Sequence, residues 1–267
     1  MNRSLSPLPI VYALFVLVPL YWMAALSLKT WAEIGAGFVP WPAHPSWAGY
    51  AEILSDPDWT WGYLNALIYA GLNVAITLCV AVPAAYAFAR FAFPGARVLF
   101  FGLLVFRMMA PAILLVPFTQ IFADLGLIDT YLGVALAHCF FNVPIAIWIL
   151  EGFIRAIPPE LDETARVDGH GPLGFFVRVL LPLIAPGIAV TAFFCFMFSW
   201  VEALIANGLT VVDVKPINGI LTRIASPQAA DTPMLAAAGM IGLVPGIMLI
   251  VFMRHHLARG FSMGRVV

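Results

Sequence analysis

Ile157-Pro158-Pro159-Glu160-Leu161-Asp162-Glu163-Thr164-Ala165-Arg166-Val167-Asp168-Gly169-His170-Gly171-Pro172-Leu173-Gly174-Phe175-Phe176-Val177-Arg178-Val179-Leu180-Leu181-Pro182 is a charged, broken stretch set between two long apolar runs. Pro158-Pro159 stops the run before it and opens a new helix, because proline tolerates the first helical turn. Glu160, Asp162 and Glu163 crowd that turn, where acidic groups suit the positive end of the helix dipole. Gly169 ends the helix, as a residue that adopts the left-handed conformation does. Gly171-Pro172 then starts a second short helix, which Pro182 is expected to terminate. The result is a helix-turn-helix elbow, too short and too charged to span a bilayer, that lies along one membrane face and offers a small helix to a partner's groove.

Working outward, the rest of the chain is built for lipid. Of 267 residues, 63% are apolar and 10% charged, with a mean hydropathy of +0.98; soluble domains run at about 45–50% apolar and about 25% charged. A bilayer core of ~30 Å needs about 20 mostly apolar residues per helix. Six segments meet that length, over residues 8–28, 63–88, 98–122, 132–153, 183–205 and 234–253. The expected fold is therefore an all-α integral membrane protein. It is one domain over 1–267 with six transmembrane helices and the elbow, residues 157–182, between the fourth and fifth. The first run has Arg3 before it and small residues at its end, as a signal peptide does. It exceeds the usual ~7–15-residue apolar core, and Tyr21-Trp22 sit where interface anchors would, so it reads as a retained span.

Basic residues set the orientation. With the N-terminus in the cytoplasm, Arg3, Arg90, Arg97, Arg155, Arg166, Arg178, Arg254, Arg259 and Arg265 fall inside. Lys29, Lys215 and Arg223 fall outside, and Arg107 lies within the third span. Nine against three follows the positive-inside rule, with both termini and the elbow cytoplasmic. The segment from Lys29 to Trp61 carries Trp31, Trp41, Trp47, Trp59 and Trp61 among prolines and acids. It reads as a lid in the outer headgroup layer, through interfacial packing or contact with an external partner.

The remaining chemistry is sparse. Net charge is −1, which argues against a nucleic-acid binder. Cys79, Cys139 and Cys195 stand apart in apolar blocks and read as small buried hydrophobes rather than ligands. His255 and His256 are neighbours on a helix and point apart. No phosphate-loop pattern and no Ser/His/Asp constellation occurs, so an enzyme is not indicated and no catalytic, cofactor or metal residue is assigned. Ionisable and amide groups within spans are costly in hydrocarbon and mark either a solute pathway or interhelical pairing. Arg107, Asn142 and Glu202 are the pathway candidates, beside His138 and Asn73, and Arg107 with Glu202 is a conceivable pair.

The elbow also carries a resemblance. Glu163-Thr164-Ala165, then Gly169, then Val179-Leu180-Leu181-Pro182 resembles the EAA loop of binding-protein-dependent ABC importers, with Thr164 for alanine and Val179 for isoleucine as departures. Further segments are similar to maltose-type carbohydrate permeases. They are Pro19-Leu20-Tyr21-Trp22-Met23, Pro83 to Phe91 with Pro94-Gly95, Leu125-Gly126-Leu127-Ile128-Asp129-Thr130 and Arg259-Gly260-Phe261. The resemblance implies a permease subunit of the bacterial cytoplasmic membrane, working with a second permease subunit, two ATPase subunits that carry ATP and Mg, and a periplasmic or lipid-anchored binding protein. It implies that Glu163, Thr164, Ala165, Asp168, Gly169, Leu181 and Pro182 couple to an ATPase. In that reading Ala165 admits the partner closely, while Glu163 and Asp168 meet its basic groups. Trp200-Val201-Glu202-Ala203 lacks the asparagine of the sugar branch. Val212 to Ile217 and Phe261 to Val266 resemble glycerol-importer permeases, which makes glycerol or a small polyol the leading substrate. An ion-coupled secondary carrier, the competing class, would show paired repeats with broken helices, and an integral-membrane enzyme would show a polar cluster at one face.

Overall fold

A backbone in lipid has no water to bond, and helices satisfy it internally. The computed structural model describes residues 7–225 and 231–263, and every regular element among them is helical. The outer segment and first helices are α1 (Pro7–Ser27), α2 (Trp31–Gly35), α3 (Ala48–Ser55) and α4 (Pro57–Arg90). Next come α5 (Ala96–Arg107), α6 (Pro111–Asp124), α7 (Tyr131–Arg155) and α8 (Glu160–Val167). The chain then runs through α9 (Pro172–Phe175), a π-turn (Phe176–Leu180), α10 (Leu181–Leu183) and α11 (Ala185–Val201). It ends with α12 (Leu204–Leu209), α13 (Ile217–Ile224) and α14 (Thr232–Met263). Arg3, Arg265, Gly264 and Val266, which bear on orientation and on the C-terminal resemblance, lie outside the described residues.

By length and composition, α4, α7 and the Thr232–Arg254 part of α14 can each cross a membrane, and Val11–Ser27 is a shorter apolar helix. The third and fifth expected spans are not single rods. α5 and α6 meet at 96°, and Pro172–Leu183 meets Ala185–Val201 at 78°; among the described residues, three helices pass by length and composition, or five if each bent pair is one span. The first break has a local cause. Ala110 is extended (φ −66°, ψ 131°) because it precedes Pro111, and the residue before proline is pushed out of the helical region.

Pro182 does not terminate the second short helix, contrary to the sequence expectation. The chain widens into the π-turn, where Leu181 N–H returns to Phe176 O, and continues to Leu183. The widened turn removes the clash between a proline ring and the carbonyl four residues back, and Pro182 falls at the start of α10, where its missing N–H costs little. The stop comes instead at Ile184 (φ −91°, ψ 9°), just ahead of Ala185-Pro186.

The chain divides into two compact units, Met1–Trp61 with Gly219–Ile247 and Gly62–Asn218 with Met248–Val267. In the first, the outer segment is tied down by its own polar groups. Ser27 Oγ shares a hydrogen with Tyr50 OH at 2.7 Å, and Lys29 donates to Val39 O while its ammonium lies 4.6 Å from the Trp22 ring centroid. Glu33 accepts from the N–H groups of His44, Ala43 and Thr30. The His44 N–H leads in holding the Glu33 carboxyl below its ordinary range, a little desolvation opposing it. Trp59 is buried, whereas Trp31, Trp41, Trp47 and Trp61 are exposed.

The second unit is organised on α7, whose most apolar window is 61% buried against 39% for α4, making it the interior helix. Ala146, Ile147, Leu150 and Ile154 of α7 join Ala81 and Ala85 of α4, Cys195 of α11, and Ala165, Phe175 and Leu180 from the elbow in one apolar core. The elbow is thus seated on the bundle. Cys139 and Cys195 are buried, but Cys79 is exposed: an apolar block permits either side of a helix and does not choose one.

At the far end of this unit, Asp129 takes a left-handed conformation (φ 59°) and its carboxylate accepts the N–H groups of Val211, Val212, Asp213 and Val214 at 2.8–3.1 Å. Partial burial pushes its carboxyl up. The four donors outweigh burial and hold it down at about 2.

Candidate functional site

The elbow is built from a helix with two unlike faces. Asp162 and Ala165 are three residues apart, so they share a side of α8, and that side faces the bundle. Ala165 is 4% exposed and packs inside the chain's own core. Its small size therefore serves the fit of α8 onto this chain, which corrects the expectation that it admits a partner. Asp162 Oδ2 accepts from Arg90 Nε at 3.0 Å and from Tyr86 OH at 2.9 Å, and Arg90 Nη2 also donates to Ile157 O at 2.9 Å. The Tyr86 ring packs against Phe175 and, edge-on at 4.9 Å, Phe176. The last turn of α4 thereby grips both the end of α7 and the start of α8.

The other side of α8 is open. Leu161, Glu163, Thr164, Val167 and Asp168 are exposed, Val167 by 87%, and beyond the turn Leu173 is exposed by 78%. Gly169 lies between them with φ +81° and open space around its Cα. The next N–H, from His170, returns to Ala165 O at 3.0 Å and closes the helix end. Thr164 Oγ1 donates back to Glu160 O. Leu181 is half-buried and Pro182 exposed.

Polar groups within the spans fall into two sets. Asn142 Nδ2 donates to Asn73 Oδ1 at 2.7 Å and to Cys195 O at 3.1 Å, and Asn73 Nδ2 donates to Ala135 O at 2.9 Å, so these amides join α4, α7 and α11. His138 lies between Ser199 and Glu202, and Glu202 also accepts the N–H groups of Leu204, Ile205 and Ala206, capping α12. Asn142 and Glu202 are thus buried in the unit's interior. Arg107 belongs to neither set: it ends α5, donates to Phe141 O and lies 5.6 Å from the Phe198 ring centroid. It does not pair with Glu202. An open groove of ≈ 870 Å³ runs along α7 and α11, with Arg107, Trp148, Glu151, Phe194 and Phe198 among its walls.

Residues 78–262 match the family described as binding-protein-dependent transport system inner membrane component. The chain belongs to this family. Its relatives include the osmoprotective compounds uptake permease protein GgtD of Synechocystis sp., 32% identical over 81% of this chain and 74% of that protein. The trehalose transport system permease protein SugB of Mycobacterium tuberculosis is 30% identical over 94% of this chain and 93% of its own length. A chain in the crystal structure of a bacterial ABC transporter involved in the import of the acidic polysaccharide alginate shares the fold. Its TM-score is 0.77 at 23% identity, over 96% of this chain and 99% of that one.

This membership makes the chain an ABC-importer permease subunit rather than an enzyme. Sequence reasoning picked out the elbow's outward residues but missed its inward anchors, Tyr86, Arg90 and Asp162. A sequence signal existed only in part: Tyr86 and Arg90 are spaced i, i+4 at a helix end, and Asp162 stands in an acidic turn. No sequence rule joins positions 76 and 72 residues apart.

Proposed function

We propose that this permease forms half of the translocation path of an ATP-driven importer for a sugar or small polyol, with glycerol the leading substrate. An external binding protein delivers the solute, a second permease subunit completes the path, and two ATPase subunits hold ATP and Mg. Both termini and the elbow lie in the cytoplasm. The carrying observation is the two-sided α8: anchored inward through Asp162 and Ala165, it leaves Leu161, Val167 and Leu173 uncovered around a left-handed glycine. A rigidly seated helix with an uncovered apolar edge is what a partner's cleft receives. Glu163, Thr164, Asp168 and Gly169 form the receiving edge in this reading, and Leu181 and Pro182 carry motion into α11.

The solute path runs along the groove, where Arg107 supplies hydrogen-bond donors amid aromatic walls suited to sugar faces. Asn142 and Glu202 shape that path from behind by fixing the helices. A relative named for trehalose supports a polyhydroxylated solute. The test is ATP-dependent uptake of radiolabelled glycerol into proteoliposomes holding this chain with its partner subunits and binding protein, with Gly169→Asp run beside it. Wild type accumulates glycerol, whereas the variant, which adds a side chain in a left-handed position and a negative charge at the docking edge, loses uptake. Full uptake by Gly169→Asp would remove the loop from coupling, uptake of a different polyol would remove only glycerol, and failure of any ATPase to associate would remove the importer reading.

A further inference from the structure

The contacts between α4 and the elbow carry an assignment beyond docking. Asp162 sits on the inward face of α8, opposite the edge proposed to meet the ATPase, so it does not serve that contact directly. Its carboxylate is nonetheless matched by two donors from one helix turn, Arg90 Nε at 3.0 Å and Tyr86 OH at 2.9 Å. The side chains of Arg90 and Asp162 are only 10% and 13% exposed, although both belong to elements at the end of the bundle where charged residues ordinarily face water. A desolvated ion pair is poor at adding stability over apolar packing, but costly to break from one side, and such pairs serve best where a unique register must be kept. Arg90 extends the same grip to Ile157 O, so one side chain holds the exit of α7 and the entry of α8 together. Tyr86 adds a ring against Phe175 and Phe176, which reaches the far arm of the elbow.

We propose that Tyr86, Arg90 and Asp162 form a positioning latch that makes the elbow and the inner end of α4 one rigid body. The latch passes a push on α8 into the spanning helix instead of letting the loop absorb it. Without it, α8 stays folded and remains on the apolar core through Ala165, and it still presents its outer edge. Displacement of α8 then spends itself in the turns at Ile157 and Gly169. The latch rests on the docking reading of the outer edge, but makes a separate demand: fixed geometry between α8 and α4 during the ATPase cycle.

That geometry is directly measurable. Glu160→Cys on α8 and Val80→Cys on α4 are at exposed positions, neither in the proposed docking edge, and accept spin labels once Cys79 is replaced by serine. The intact complex, purified through a tag on this chain, is examined by double electron–electron resonance without nucleotide and after trapping with ATP and vanadate. With the latch intact, the label separation stays narrow and unchanged on trapping. Asp162→Asn removes the ion pair while keeping shape, and Tyr86→Phe removes one donor while keeping the ring against Phe175 and Phe176. In both variants ATPase subunits co-purify and hydrolyse ATP, while the trapped distribution shifts and broadens, more in Asp162→Asn. An unchanged, narrow distribution in both variants, or a shift on trapping in the wild type, overturns the latch while leaving docking intact. Absence of any ATPase from the wild-type complex overturns docking, and the latch's transmitting role with it.

Discussion

A carboxylate that meets a backbone N–H at each lone pair fixes a loop as a ladder fixes a strand, and Asp129 is placed to do this with Val211, Val212, Asp213 and Val214. The folded state holds its carboxyl at about 2, below the ordinary 3.8. A depressed carboxylate adds stability that is fully present above its unfolded value and is lost as pH falls through the folded one, here from about 4 down to about 2. Charge-assisted bonds run to ~1.5–3 kcal/mol, and solvent screening at this partly exposed group brings the expected loss in Asp129→Asn to about 1 kcal/mol. Thermal unfolding in detergent at pH 7 should show the variant below wild type, with the gap closing towards pH 2. A gap that persists unchanged at low pH would mean the charge is not what holds the loop. Buried amides act similarly inside the bundle, where Asn73 and Asn142 face each other instead of solvent.

Helix pairs are set by where side chains are absent. A Cβ on Gly187 of α11 would lie 2.6 Å from Phe153 Cγ of α7, so the two helices approach at this glycine as closely as the ring allows. Gly187→Ala must push α7 and α11 apart, at a cost of about 1–3 kcal/mol for overpacking. Gly102, in α5, has nothing within 4 Å of its missing Cβ. Gly102→Ala should therefore be neutral or gain up to ~1 kcal/mol from helix propensity. Melting temperatures of the two variants side by side check this; equal behaviour would show that the α7–α11 contact yields freely. The bends at Ala110 and Ile184 are element-scale facts too, the first directly before Pro111 and the second two residues before Pro186.

At the scale of the molecule, the arginine distribution and the apolar runs predict which ends face which side. In whole cells carrying the Cys79→Ser background, a membrane-impermeant maleimide should label Ser55→Cys in the outer segment, and leave Glu160→Cys in the elbow unlabelled until the membrane is opened. Both positions are exposed, so packing does not confuse the readout. The reverse pattern would invert the orientation and place the elbow away from any cytoplasmic ATPase. The exposed apolar surface of α1, including Leu8, Val11, Phe15 and Val18, belongs to the same picture, because lipid or a neighbouring subunit covers such surface without penalty.

The elements were legible because their causes are local. Twenty-residue apolar runs, prolines at Pro158-Pro159 and a glycine at 169 act on their own backbone, so α4, α7, α8 and the turn after it follow from reading along the chain. The family, too, was legible from a spaced motif. What proline does is only half local: Pro111 breaks the third run as its neighbour's backbone demands, yet Pro182 is absorbed because a π-turn opens ahead of it. The burial of Ala165, the exposure of Cys79 and the partner of Asp162 were not legible, and the interhelical pairing of Asn142 stood only as one of two readings. Hydropathy states whether a residue tolerates an apolar surround, but not which side of its helix meets the bundle or which distant group meets it there. Those are properties of how helices far apart in sequence are rotated against each other, and only the tertiary structure decides that rotation.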